Sequence, residues 1–131
     1  MTERFSKFLK SKFTLEIWQG DKIIFQSGKD GVKGLVEFID EYCTKLENLI
    51  IFDRIVGRGA ALLIVFLKAK EVFTKIISES GKKVLEESNI EFHFKETVPN
   101  IMNKKGNDIC PIEKLSFGKM PEAFYRILKM G

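Results

Sequence analysis

The sequence has little cysteine, histidine or tryptophan: two, one and one residues among 131. Cys43 and Cys110 stand far apart, so their spacing makes neither a disulfide framework nor a paired-cysteine zinc motif. That usage points to a reducing, cytoplasmic setting. A metal site would have to gather both cysteines with His93, the single histidine. Cys43 instead reads as a packing residue on a helix stripe, and His93 as a hydrogen-bonded surface residue. No metal and no other cofactor is therefore expected. Long apolar runs are missing too. Ala60 to Leu67 is too short to span a bilayer, and Asp53, Arg54 and Arg58 interrupt any longer window. Lysines break up the apolar residues of the N-terminus, unlike a signal peptide. No Gly-Lys-Ser/Thr ending follows Gly57 and Gly59, which excludes a P-loop. A soluble protein away from the membrane is expected.

What is present suits one packed domain over residues 1–131. The apolar fraction is 44%, enough for a core. The net charge of +4 is too weak to argue for nucleic acid. Part of the excess lies where Arg4, Lys7, Lys10 and Lys12 alternate with Phe5, Phe8 and Leu9. That pattern predicts a basic amphipathic helix over about residues 2–11.

"FTLEIWQ" and "KIIFQS" flank Gly20-Asp21 and predict a hairpin, with Phe13, Leu15 and Ile17 on one face. From Leu35 the apolar spacing turns helical. "NLIIFD" is continuously apolar, as a strand covered on both faces would be. The next segment, about Arg58 to Lys68, is apolar almost all round and predicts a helix in the middle of a layered domain. A strand (70–78), a helix ("ESGKKVLEES"), a strand ("NIEFHF"), a polar loop and two closing helices follow. The fold class is α/β: a three-layer α/β/α sandwich on a five-stranded mixed sheet.

Three segments invite chemistry. In "VGRGAALL", Gly57, Gly59 and Ala60 leave room for close backbone approach, and Arg58 adds charge at a helix N-terminus that favours anions. In "ISESGKK", Ser78 or Ser80 caps a helix and Glu79 suits its dipole; the same groups can face a ligand. In "NKKGNDICPIE", Cys110, Pro111 and Glu113 have the spacing of a capping box with sulfur in the cap position. A helix dipole would stabilise a Cys110 thiolate, which makes it a candidate nucleophile. Asn103 is a candidate ligand contact as well as a turn residue. Asp53, Glu79 and Glu113 are expected to support the site from behind.

The order of elements resembles the cytidine deaminase-like fold. "DRIVGRGAALL", "ISESGKKVLEE" and "VPNIMNKKGNDICPIE" resemble more closely a small family of unknown function grouped with that superfamily. The resemblance implies the fold, a site at two helix N-termini and a homo-oligomer, but no activity. Zinc deaminases need a His or Cys and a Glu at the first helix start, and two cysteines at the second. Gly59-Ala60-Ala61 and Ser78 to Lys83 stand there instead. Zinc-dependent deamination is therefore not expected. The preferred expectation is binding of a small anionic or nucleotide-like ligand at Gly57, Arg58, Gly59, Ala60, Ser78, Ser80 and Asn103. The alternatives are an enzyme dependent on Cys110, and a homo-oligomeric assembly protein with a vestigial pocket.

Overall fold

The computed structural model describes residues 2–130, residue 2 by its backbone alone. Met1 and Gly131 of the expected span lie outside the described residues. Helix α1 (Thr2–Lys10) leads into the hairpin β1 (Leu15–Gln19) and β2 (Lys22–Ser27). Gly20 makes the turn with φ +61°, a left-handed conformation that side chains disfavour. Then come α2 (Lys33–Tyr42), β3 (Leu49–Val56), α3 (Arg58–Phe66), β4 (Glu71–Ser78), α4 (Glu79–Glu87), β5 (Glu91–Val98), α5 (Pro111–Ser116) and α6 (Pro121–Met130).

The five strands form one mixed sheet in the order β2-β1-β3-β4-β5. β1 runs antiparallel to both β2 and β3, while β3, β4 and β5 are parallel. Helices α3 and α4 make the parallel crossovers. Their N-termini therefore both lie at the carboxyl ends of strands, where α/β sheets commonly place their sites.

Alternation along β3 splits its side chains between two cores. Leu49 and Ile51 join Leu35, Phe38, Leu63, Leu85 and Phe124 on one face. Ile50 and Phe52 join Phe5, Phe8 and Phe73 on the other, under α1. Phe52 is the hub of this second core, with Phe5 and Phe73 edge-on at 5.4 Å each. Arg54 anchors α1 by donating to the carbonyls of Phe8, Leu9, Ser11 and Phe13 at 2.7 to 3.1 Å. Of these, Phe8 and Leu9 belong to the last turn of α1, where a helix end leaves carbonyls open.

Two local expectations are corrected. Phe13 does not share a face with Leu15 and Ile17. It precedes β1, where alternation has not begun, and it packs against the α1 core. Cys43 is exposed, not buried. α2 ends at Tyr42, and Cys43 takes φ 55°, which turns its side chain off the helix stripe.

Helix α3 is central, as its all-round apolar sequence suggests. Gly59 to Ile64 are all buried. One side faces the sheet, and the other packs against α6, where Phe66 stacks on Tyr125 at 5.3 Å.

Candidate functional site

The starts of α3 and α4 meet. A Cβ on Gly81 would stand 2.9 Å from the Gly57 carbonyl oxygen and 3.0 Å from that of Val56. The missing side chain at Gly81 therefore lets α4 rest on the strand-to-helix turn before α3.

The two starts are satisfied in different ways. At α4, Ser78 is the N-cap, and its Oγ accepts the Gly81 amide at 3.0 Å. This is ordinary local capping. At α3, Gly57 is the N-cap and has no side chain to offer. The acceptor comes from α5: Glu113 Oε1 accepts the Arg58 amide at 2.6 Å, and Oε2 accepts the Gly59 amide at 2.8 Å. Gly57 is glycine because of this approach, since a Cβ there would lie 2.1 Å from Oε1.

Glu113 thus fills the predicted anion cradle with the protein's own carboxylate. It is 6% exposed. Burial pushes its carboxyl above the ordinary range, while the two amides and the Arg58 charge pull the other way. This corrects the capping-box expectation. Glu113 reaches across to α3, and Cys110 is the N-cap of α5 with no side-chain cap bond. Cys110 is half-buried, and among the described residues no hydrogen bond reaches its sulfur.

The side chain of Arg58 turns away from the cradle. Its Nε donates to the Ser116 carbonyl at 3.1 Å, and an Nη to that of Lys119 at 3.3 Å. The guanidinium clamps the α5–α6 turn. Ala60 is buried, Ser80 half-buried and Glu79 exposed. Asn103 is tied within its own loop: its amide donates to Asn107 Oδ1 at 2.9 Å, and its Oδ1 accepts the Asn107 amide at 3.2 Å. The structure therefore gathers Gly57, Arg58, Gly59, Ala60, Ser78 and Glu113, and leaves Asn103 in its turn.

Asp53 lies four residues before Gly57 on β3, opposite Leu15 and Thr74. It is 6% exposed, and its Oδ1 accepts the Ile55 amide at 3.5 Å. Burial pushes its carboxyl up to about 7. No bond links it to the cradle.

The residues at these helix starts do not fit zinc. A Cβ on Gly59 would meet Phe124, Ile112 and Glu113, and no imidazole or thiol is placed there. Among the described residues, the one trio of converging ligand atoms is Glu71, Glu91 and His93, at the opposite ends of the parallel strands. His93 Nε2 lies 2.7 Å from Glu71 and 3.1 Å from Glu91, which agrees with a hydrogen-bonded surface histidine.

A family model described as a domain of unknown function (DUF1893), TM1506, matches residues 5–130. The chain belongs to the DUF1893 family. It is similar to the crystal structure of a DUF1893 family protein, TM1506, from Thermotoga maritima. That similarity is 29% identity over 98% of this chain and 87% of the other, with a TM-score of 0.89. Among curated proteins none matches. The family relation accounts for the α/β fold, the five-stranded mixed sheet and the six helices, and it brings no activity with it.

Two open hollows are lined by residues other than those of the two helix starts. One, of about 560 Å³, is lined by Gln19, Gly20 and residues 45–48. The other, of about 310 Å³, lies between α2 and Ile112 and Leu128. No helix among the described residues is long and apolar enough to cross a membrane.

Proposed function

We propose that the protein binds an anionic, nucleotide-like ligand where α3 and α4 begin, on a cytidine deaminase-like scaffold without zinc chemistry. The Glu113 carboxylate carries this reading. It sits on two backbone amides at a helix start, the arrangement that helix N-termini offer to phosphates. A ligand phosphate or carboxylate would take those amides by displacing Glu113. The exchange is feasible because Glu113 rides on a helix of only six residues, and burial makes it a poorly solvated resident anion.

The test is chemical rescue. Glu113→Ala empties the cradle and lowers the melting temperature. Phosphate or adenosine monophosphate at millimolar concentration should restore several degrees, and potassium chloride at matched ionic strength should not. Wild-type protein should bind the same anions more weakly, because Glu113 competes. Loss of stability that no anion repairs would remove the ligand reading.

That outcome would favour the second reading, an assembly protein with a vestigial pocket. Its own support is the Arg58 guanidinium, which is committed to the α5–α6 turn and not to the cradle.

A further inference from the structure

The sheet ends in an open edge. β5 is one of the two edge strands, with β2 at the other side, and is paired only with β4. Unpaired edges invite other strands, and proteins commonly blunt them with charge. The charges here have an unusual order. Residues 91–95 read Glu-Phe-His-Phe-Lys, with opposite charges at the two ends, a phenylalanine inside each and a histidine at the centre.

We propose that β5 is a self-association edge: two copies pair antiparallel about His93 and extend the five-stranded sheet to ten. This proposal is independent of the α3 site.

In that register Glu91 lies opposite the partner's Lys95, and Lys95 opposite the partner's Glu91. Phe92 meets the partner's Phe94, and the two His93 residues meet at the twofold axis. Such an interface is isologous, as most homodimer interfaces are.

The neighbouring strand reinforces the pattern. Glu71 pairs with Glu91, so an acidic pair stands at one end of the edge. Lys75 falls beside Lys95 by the same register, so a basic pair stands at the other. His93, stacked on Phe73 at 4.4 Å, lies between them. An antiparallel partner sets the acidic end of one copy on the basic end of the other. A parallel partner would set like charges together, which costs stability.

The opposite face supplies apolar area. Phe92 and Phe94 stack at 6.0 Å, and Phe94 remains 40% exposed. Pairing joins the two aromatic pairs across the seam and covers the exposed Phe94 ring. Charge thus selects the orientation, while backbone hydrogen bonds and phenylalanine burial hold it.

The test uses the full chain and sedimentation equilibrium. Wild type should be dimeric at tens of micromolar. Glu91→Lys alone and Lys95→Glu alone each turn two attractive pairs into two repulsive ones. Each should weaken dimerisation by roughly tenfold to a hundredfold. Mixing the two variants should restore a heterodimer, because both cross-seam pairs again have opposite charge. The double variant Glu91→Lys/Lys95→Glu should also dimerise. Circular dichroism checks that each variant is folded. A monomeric wild type overturns the proposal. So does a dimer that neither single variant weakens, which would use another surface. Single variants that stay monomeric when mixed overturn this register.

Discussion

The starts of α3 and α4 lie side by side and solve one problem in two ways. Each helix leaves its first amides without an intrahelical partner. α4 takes its acceptor from Ser78, three residues before Gly81. α3 takes its acceptor from Glu113, 54 and 55 residues away from the two amides it serves. The local cap holds one helix turn. The distant cap also fastens α5 onto α3, and Arg58 closes the same joint from the other side through Ser116 and Lys119. A charged cap between distant segments therefore adds tertiary structure as well as helix stability.

Gly57→Ala should break this contrast most severely. Its Cβ must expel the Glu113 carboxylate, although the backbone at φ −93° accepts alanine without strain. A loss of about 3–4 kcal/mol in denaturant unfolding is expected. Glu113→Ala should cost about 2–3 kcal/mol, because two charge-assisted bonds go and the amides partly rehydrate. The double variant should cost little more than Gly57→Ala alone, since both remove one contact. Additive losses would mean that Gly57 has a separate role.

The pH profile sharpens a related contrast. Glu113 accepts two amides at 2.6 and 2.8 Å, whereas Asp53 accepts the Ile55 amide at 3.5 Å and has its carboxyl pushed up to about 7. A raised carboxyl means that the folded state holds a proton the unfolded chain has already released. Stability contributed by Asp53 is therefore full below about pH 4 and is lost as pH rises toward about 7. The slope is at most about 1.4 kcal/mol per pH unit. Asp53→Asn should flatten that fall, and equilibrium unfolding at pH 5 and pH 7 will check it. An unchanged fall would assign the slope to another group. The smallest effect belongs to the local cap. Ser78→Ala should cost about 1 kcal/mol and leave α5 protected in hydrogen exchange, whereas Glu113→Ala should expose it.

The readings that held were local ones. The hairpin at Gly20-Asp21, the buried strand expected over Asn48 to Asp53 and found as Leu49–Val56, and the all-round apolar α3 each follow from periodicity and turn chemistry within a short window. A serine cap at Ser78 or Ser80 was legible for the same reason, and the structure places it at Ser78. Cys43 was misread because helical spacing does not reveal where a helix stops, and one left-handed residue moved the side chain outside. Phe13 was misread because alternation was extended past the start of its strand. Glu113 was singled out, but its neighbours in sequence suggested the wrong amides. The available signal was the pair of glycines around Arg58, which have room for an acceptor and none of their own.

By itself, the sequence determined the elements, their order and the mixed sheet. Those follow from residue type, spacing and chain connectivity. Only the tertiary structure decided what fills the α3 start and where Arg58 points. It also decided which two strands form the edges of the sheet. Each depends on contacts between segments distant in sequence, where packing and burial set the partner and local spacing carries no information.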